Sequence, residues 1–407
     1  MHKKLSIKNL DLNRKKALIR VDFNVPLEKG EITDDSRIRA ALPTINYALN
    51  QGAAVIIMSH LGRPNSQPDP KYTLAPCAKR LSELLGKPVT LAPDCVGPEV
   101  EKLVKELKPG QVLLLENLRF HKGEEKPSEE PHFAASLARL GDLYIDDAFG
   151  CAHRSHASIT EICRFFPNHS VAGFLIDKEI AFLGDALLNP KHPFCTVLGG
   201  AKISTKFKVI EKLIQKADTL LIGGAMAYTF FKAQGLAIGR SLYEPEFVDE
   251  AAKLLKSSAH GKCKVLLPVD SVIATHIDPQ AESRIVSVKE GIPDGYQGVD
   301  IGPETVKLFA QEIRKAATVF WNGPMGIFEC PPFAKGTQAI AHTLAGLNAT
   351  TIIGGGDSVA AVEQAGVADQ VSHISTGGGA CLEYVELGTL PGIEALTNAC
   401  LETCNRP

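Results

Sequence analysis

The stretch best equipped for chemistry is the glycine-rich run Ile353-Gly354-Gly355-Gly356-Asp357-Ser358. Its apolar, β-branched lead-in (Thr350, Thr351, Ile352, Ile353) reads as a buried strand, and Val359 and Val362 open a helical pattern behind it. Glycines without a Cβ let backbone N–H groups approach an anion closely, and a helix N-terminus adds favourable potential there. An Asp at that junction can hold Mg²⁺, which takes oxygen ligands and shares them with phosphate. Similar junctions recur at Leu198-Gly199-Gly200-Ala201-Lys202, Ile222-Gly223-Gly224-Ala225 and Ser375-Thr376-Gly377-Gly378-Gly379. Any one of them is explained as a tight strand-to-helix turn. Four within one half of the chain point to a nucleotide-phosphate site assembled from several strand ends.

Other residues extend this pattern. Lys202 and Lys206 are spaced i, i+4, which predicts a shared helical face near a helix N-terminus, where two ammonium groups can neutralise a phosphoryl group in flight. The alternative is that both are simply solvated, as Lys208, Lys212 and Lys216 are on another face. Trp321-Asn322-Gly323-Pro324-Met325-Gly326-Ile327-Phe328-Glu329 ends a further strand with a tight loop. Its apolar members can cover an adenine face, and Glu329 can bond ribose hydroxyls.

The first half has a different vocabulary. In Arg20-Val21-Asp22-Phe23-Asn24-Val25-Pro26, Asp22 and Asn24 alternate with apolar residues and so face the same way. They can accept from a ligand hydroxyl, or merely form the turn before a proline. Arg37 falls in the first turn of a helix after Asp34 and Asp35, where a cation opposes the helix dipole. Something anionic must offset it, either those aspartates or a ligand. His60-Leu61-Gly62-Arg63-Pro64, Glu116-Asn117-Leu118-Arg119-Phe120 and Ala152-His153-Arg154-Ser155-His156 each follow a strand pattern. A lone arginine is an ordinary surface charge. Four at corresponding ends of successive elements suit a multiply anionic ligand, because the planar guanidinium donates two parallel hydrogen bonds.

The elements that must position these residues alternate between β-rich and amphipathic helical segments, the signature of parallel βαβ architecture. Strands are predicted near 17–23, 53–59, 89–92, 112–116 and 143–146, and again near 196–198, 219–222, 264–267, 318–321, 351–353 and 373–375. Ile38, Leu42, Ile45 and Leu49 mark one helix, and Ile203, Phe207, Ile210 and Ile214 another. A helix over 174–188, followed by Asn189-Pro190-Lys191-His192-Pro193, marks the boundary between two domains. At 407 residues the chain is too long for one ordinary core. The expected fold is α/β, with two doubly wound, Rossmann-like parallel sheets joined by a hinge helix. Ligands in such sheets bind beyond the carboxyl ends of strands.

Composition excludes several classes. Hydrophobic content of 44% with 22% charged residues is that of a soluble globular protein, and a net charge of −2 gives no general attraction to nucleic acid or anionic membrane. No signal-peptide core follows Lys3 and Lys4, and the greasiest stretch, 220–231, is glycine-broken and short of a membrane span. The ten cysteines read as thiols, with a reservation for Cys400 and Cys404 at i, i+4. P-loop, protein-kinase and G-x-G-x-x-G signatures are missing, as are zinc-spaced clusters.

Taken together, residues 20–26, 60–64, 116–120, 153–156, 199–206, 321–329 and 354–358 resemble the phosphoglycerate kinase family in order and spacing. The resemblance implies reversible phosphoryl transfer from 1,3-bisphosphoglycerate to Mg-ADP, giving 3-phosphoglycerate and ATP, in a monomeric, cytoplasmic, glycolytic enzyme. Matched residue by residue, it implies that Asp22, Asn24, Arg37, His60, Leu61, Gly62, Arg63, Arg119 and Arg154 hold the phosphoglycerate. Lys202 and Lys206 would meet the nucleotide phosphates with Gly200, Ala201, Gly354, Gly355, Gly356 and Ser358, and Asp357 would hold Mg²⁺. Gly223, Gly224, Gly298, Asn322, Pro324 and Glu329 would line the nucleoside pocket, and Gly377, Gly378 and Gly379 would face the transferring phosphate. Arg37, Lys202 and Lys206 would be catalytic. The resemblance implies a phosphoglycerate domain over 1–173, a linker over 174–188 and a nucleotide domain over 189–392, with a C-terminal helix (about 393–407) packing back on the first domain. Ala225 stands where many relatives have glycine, and Cys381 where serine is common.

Two rival readings differ in class. A nicotinamide-dependent dehydrogenase would need a Gly-x-Gly-x-x-Gly turn and an acidic residue at the next strand end, and neither is evident. A hinged, non-catalytic binding protein would need no lysine pair and no metal-binding Asp.

Overall fold

The computed structural model describes residues 3–258 and 261–399. The chain forms two units. One runs to Ile180 and takes in the chain again from Thr389, and the other is Ala181–Gly388.

The first unit contains β1 (Lys16–Val21), the hairpin strands β2 (Leu27–Glu28) and β3 (Glu31–Ile32), then β4 (Ala54–Met58), β5 (Val89–Leu91), β6 (Val112–Leu114), β7 (Leu143–Asp147) and β8 (Ser170–Ala172). Apart from the hairpin, these form one parallel sheet in the order β5-β6-β4-β1-β7-β8. Residues 17–21, β4 and β7 are buried throughout, as expected of strands covered on both faces. The edge strand β8 was not anticipated. It has only three residues, and it forms by pairing alongside Tyr144–Asp146.

The second unit contains β9 (Phe194–Leu198), β10 (Thr219–Ile222), β11 (Lys264–Leu266), β12 (Asp270–Ala274), β13 (Ser283–Ser287), β14 (Gln297–Ile301), β15 (Thr318–Asn322), β16 (Thr350–Gly354) and β17 (His373–Ile374). Its parallel sheet has the order β11-β10-β9-β15-β16-β17, the doubly wound arrangement expected. A second, antiparallel sheet, β13-β12-β14, went unpredicted. β13 alternates weakly and is mostly exposed, so it lacks the apolar signal of the other strands.

In each sheet the strand order reverses at one place, between β1 and β7 in the first unit and between β9 and β15 in the second. Register levels the ends there. Val21 lies opposite Asp147, while Asn322 lies opposite both Leu198 and Gly354. Residues just past these positions therefore meet at one rim.

Two helices differ from expectation. The linking segment is α-helical over Phe174–Glu179, π-wound over Ile180–Asp185 and α-helical again over Ala186–Leu188, so the division between units falls at the start of the wide turn. Such π turns mark functional irregularities in helices. Among the described residues the expected C-terminal helix is helical only over Pro391–Ala395, and its part from 400 on lies outside them. Past Ala395 the backbone pairs with the N-terminal segment instead: Leu5 N donates to Thr397 O (2.9 Å) and Ala399 N to Lys3 O (2.7 Å). Lys4 Nζ donates to Leu396 O and Asn398 Oδ1, both at 2.8 Å, which fixes the extended form. Cys400 and Cys404 lie outside the described residues, and the eight described cysteines are buried thiols rather than disulfides.

The helix Pro303–Ile313 follows Gly302, which has no side chain to cap it. Its cap comes from β12. The Asp270 carboxylate accepts from Glu304 N (3.0 Å), Thr305 N (2.8 Å) and Thr305 Oγ1 (2.6 Å). Asp270→Ala should destabilise the second unit by about 1–2 kcal/mol, the usual effect of losing an N-cap. The sole tryptophan, Trp321, is buried in that unit's core, so its fluorescence during urea unfolding reads this loss directly.

Candidate functional site

At the rim of the first sheet, Arg20 is buried beneath the residues singled out above. Its Nε donates to Ser158 Oγ (2.9 Å), one Nη donates to Val21 O, and the other donates to His60 Nδ1 (3.3 Å). Glu124, also buried, lies 3.8 Å from the same guanidinium and accepts from Ser158 Oγ (2.7 Å). Burial pushes the His60 ring well below the ordinary histidine value, and Arg20, Arg119 and Arg37 reinforce this against the opposing Asp22. His60 is therefore neutral at pH 7. With Nδ1 accepting from Arg20, its proton resides on Nε2, a neutral donor.

Asp22 pairs with Arg37, and Asn24 Oδ1 accepts from Gly62 N (2.8 Å). Burial opposes the Asp22 carboxylate, yet the neighbouring cations hold its pKa below the usual value. Arg119 Nη1 donates to Gly62 O (2.7 Å), and its Nη2 lies 3.1 Å from Glu125. Glu116 and Asn117 hold the loop that carries these groups. Glu116 accepts from Thr73 Oγ1 (2.6 Å) and Leu74 N (2.7 Å), while Asn117 Nδ2 donates to Leu61 O (2.8 Å) and Tyr72 O (2.9 Å). The structure thus ties Asp22, Asn24, Arg37, His60, Leu61, Gly62 and Arg119 into one network. Arg63 and Arg154 are exposed and pair with no acidic group among the described residues. The helix Ser36–Asn50 places Arg37 in its first turn, with Asp34 accepting from Ser36 N (2.8 Å).

Arg20, Glu124 and Ser158 escaped the sequence reading as site residues. A buried Arg–Glu pair needs the tertiary fold to reveal it, although an arginine inside an otherwise apolar strand was a usable signal. Likewise, Asp94 and His121, far apart in sequence, hydrogen-bond at 2.7 Å next to Cys95.

At the rim of the second sheet, Lys206 Nζ donates to the carbonyl oxygens of Gly199 (2.6 Å) and Asn322 (2.9 Å). Burial lowers its pKa to about 8 against the opposing pull of Asp357. The expected shared helical face of Lys202 and Lys206 is not formed. Residues 199–206 are a turn and the helix is Phe207–Ile214, so Lys206 is buried while Lys202 is exposed. The physical reason is the pull of the two strand-end carbonyls, which hold Lys206 before the helix begins.

Both lysines nevertheless line one cleft of about 370 Å³ together with Gly200, Gly356, Asp357 and Gly378. Gly355 and Gly378 stand immediately before the helices Gly356–Gln364 and Gly379–Leu387, whose N-termini face this cleft. Gly323 has φ +96°, and a Cβ there would collide with Lys206 Nζ. Ser358 Oγ accepts from Gly323 N (2.5 Å), and Asn322 Nδ2 donates to Gly354 O (2.7 Å). A second cavity of about 300 Å³ adjoins it, sharing Gly200, Ala201 and Asp357 and lined by Gly224, Gly298, Pro324 and Glu329. Asn322 lies on the first cleft rather than this one. Gly223, Gly354 and Gly377 stand behind these walls. Gly223 faces Met325, Gly354 faces Cys381, and Gly377 N donates to Ser375 Oγ (3.2 Å).

Asp357 is the one acidic residue lining the 370 Å³ cleft among the described residues. A single carboxylate beside phosphate-sized space fits a cation such as Mg²⁺, which keeps few protein ligands and takes the rest from phosphate and water.

The fold and these two rims define an α/β protein with an arginine-rich rim on one unit and, on the other, a glycine- and lysine-lined cleft with an adjoining cavity. The family model for phosphoglycerate kinase matches residues 7–387. The chain is 54% identical to the phosphoglycerate kinase of Moorella thermoacetica over 394 residues (97% of this chain, 99% of that one). It is 52% identical to that of Chloroherpeton thalassium over 400 residues (98% and 100%). The solved phosphoglycerate kinase of Coxiella burnetii superposes with a TM-score of 0.87 at 39% identity, covering 96% of this chain and 98% of that one. That of Pyrococcus horikoshii gives 0.83 at 34% identity (97% and 98%). The chain belongs to the phosphoglycerate kinase family.

A neutral Lys206 amine satisfies its two carbonyls with two N–H groups, whereas the ammonium form adds a third donor for an anion. An incoming polyphosphate favours the charged form and raises the Lys206 pKa. Binding of ADP at pH 8.5–9 should therefore take up a proton, and affinity should fall as pH rises above about 8. Calorimetry in buffers of different ionisation enthalpy measures this uptake, which Lys206→Met should abolish.

Proposed function

We propose that the chain transfers a phosphoryl group reversibly between 1,3-bisphosphoglycerate and Mg-ADP, as a transferase of glycolysis, with one substrate held by each unit. The observation that carries this reading is the division of labour between the rims. Guanidinium groups and a neutral histidine gather on the first sheet, and lysines, glycine-led helix N-termini and one carboxylate gather on the second. Asp22, Asn24, Arg37, His60, Arg63, Arg119 and Arg154 bind the phosphoglycerate, with the Leu61–Gly62 backbone held in place by Asn117 and Asn24. The nucleoside occupies the 300 Å³ cavity and the phosphates occupy the cleft beside it.

The acyl phosphate is already activated, and in the reverse direction the attacking carboxylate is ionised at neutral pH, so no general base is required. Its oxygen bonds to the terminal phosphorus as the bond to the leaving diphosphate oxygen breaks. Catalysis is positioning and charge stabilisation of an in-line transfer. Arg37 and Lys202 clasp the transferring group, Lys206 adds its third donor, and the backbone at Gly377, Gly378 and Gly379 supports it. Asp357 would hold Mg²⁺, which when bound supplies neutralisation of polyphosphate charge. The reading takes the working unit as a monomer of the cytosol. No described helix is long and apolar enough to cross a membrane.

The test is ADP formation from ATP and Mg²⁺ with a coupled step removing 1,3-bisphosphoglycerate. Turnover should depend strictly on 3-phosphoglycerate. Arg37→Ala or Lys202→Ala should lose roughly 10²–10³-fold in kcat, the scale of removing one transition-state donor. Near-normal turnover in Arg37→Ala overturns its assignment.

Transfer requires the two cradles to meet, and we assign the flexing to the linking helix with its π turn over Ile180–Asp185. Small-angle scattering should show the protein compacting more with both substrates than with either alone. Equal radii under all conditions would exclude closure.

A further inference from the structure

The nucleoside cavity owes one wall to the loop 323–329, whose Pro324, Met325, Ile327 and Glu329 line it. This loop has little regular structure of its own, so its shape must be imposed by neighbours. Met325 N and Gly326 N both donate to Thr337 Oγ1, at 3.0 and 3.2 Å, and Ile327 N donates to Val299 O at 2.9 Å. The wall therefore hangs from the first turn of the helix Lys335–Ala345 and from β14.

That helix start is itself held from a distance. Ala334 precedes it and has no side chain capable of capping. The Asp300 carboxylate of β14, 3% exposed, supplies the cap, with Oδ2 accepting from Gly336 N (2.7 Å) and Oδ1 accepting from Ile301 N (2.8 Å). It also fills the space beside Gly326 and Gly336, where a Cβ on either residue would collide with it. Thr337 follows Gly336 directly and is fully buried, so fixing the Gly336 N–H fixes where Thr337 presents its hydroxyl.

We infer that Asp300 is a positioning residue for nucleotide binding. It borders the cavity itself and sets the neighbouring wall through Gly336 and Thr337, while the phosphate cleft is built without it. The inference rests on the nucleotide reading above. An amide cannot replace the carboxylate, because Asp300 accepts from backbone N–H groups with both oxygens, whereas an asparagine offers one acceptor and points N–H groups at the other donor.

The test uses the full-length protein and two probes, ADP and inorganic pyrophosphate, which differ by the nucleoside. Asp300→Asn should raise the calorimetric Kd and the KM for ADP about tenfold or more, the effect of losing a charge-assisted hydrogen bond. Pyrophosphate affinity, the KM for the acid substrate and kcat should stay within about twofold. Thr337→Val should shift ADP in the same direction, with the double variant no weaker than the sum predicts and close to the worse single variant. Thr337→Val carries the test alone where Asp300→Asn does not fold. Parallel weakening of ADP and pyrophosphate, or unchanged ADP binding with only a lowered urea midpoint, overturns the inference. Wild-type protein that binds ADP no better than pyrophosphate would instead overturn the nucleotide reading, and this inference with it.

Discussion

The amine of Lys206 hydrogen-bonds the carbonyl that ends β15 and the one just past β9, and much of the second unit's geometry follows from where that amine must sit. Those two strands are the pair between which the strand order reverses. The crevice beyond them is where an open α/β sheet admits a ligand, and here a lysine bridges it. Its place explains why the helix begins only at Phe207 and why Lys202 reaches the cleft from a turn rather than from a helical face, while residue 323, at φ +96° and against the Gly199 backbone, has room only for glycine. Burial lowers the Lys206 pKa to about 8, so the amine remains mostly a cation at pH 7 and loses its proton only as the pH rises past that value.

A second device recurs in both units. Three helices start after residues without a capping side chain (Gly173, Gly302 and Ala334), and each takes its cap from a strand-borne aspartate. Asp147 accepts from Leu175 N (2.8 Å) at the start of the linking segment, Asp270 caps Pro303–Ile313, and Asp300 caps Lys335–Ala345. These aspartates join helices to sheets more tightly than a local cap could, because the donor and acceptor lie on different elements. Burial has a cost that shows in their acidity, with Asp147 and Asp300 both pushed up to about 7. Two of these carboxylates thereby brace the linking segment and the cavity lined by Pro324 and Glu329.

This device also marks how far the sequence could be read. Most of the parallel strands are legible because each is a short apolar run, and the rims are legible because His60, Lys202 and Asp357 follow such runs within a few residues while Arg37 opens a helix. Capping is read locally, three residues at a time, so a cap borrowed from 35 residues away, as Thr305 borrows from Asp270, leaves no local trace. The antiparallel sheet was missed for a related reason: β12 and β14 are buried by packing, while exposed β13 lacks alternation. The C-terminal helix was overestimated because pairing with Lys3 and Leu5 overrides local propensity.

The two rims solve the same electrostatic problem in opposite ways. On the first, the positive charge is permanent: guanidinium groups stay protonated at any working pH, and the histidine among them is forced neutral, so it contributes a donor without adding charge. Asp22 and Glu124 offset part of that field and keep several cations within one network in the absence of ligand. On the second, two glycine-led helix N-termini and the exposed Lys202 are joined by Lys206, whose pKa burial lowers to about 8. Neither rim needs an acid or base to run the reaction, since both reacting oxygens are ionised at neutral pH. What such a transfer needs is donors fixed in place beforehand, and the buried hydrogen bonds of Arg20 and Lys206 fix the groups around them.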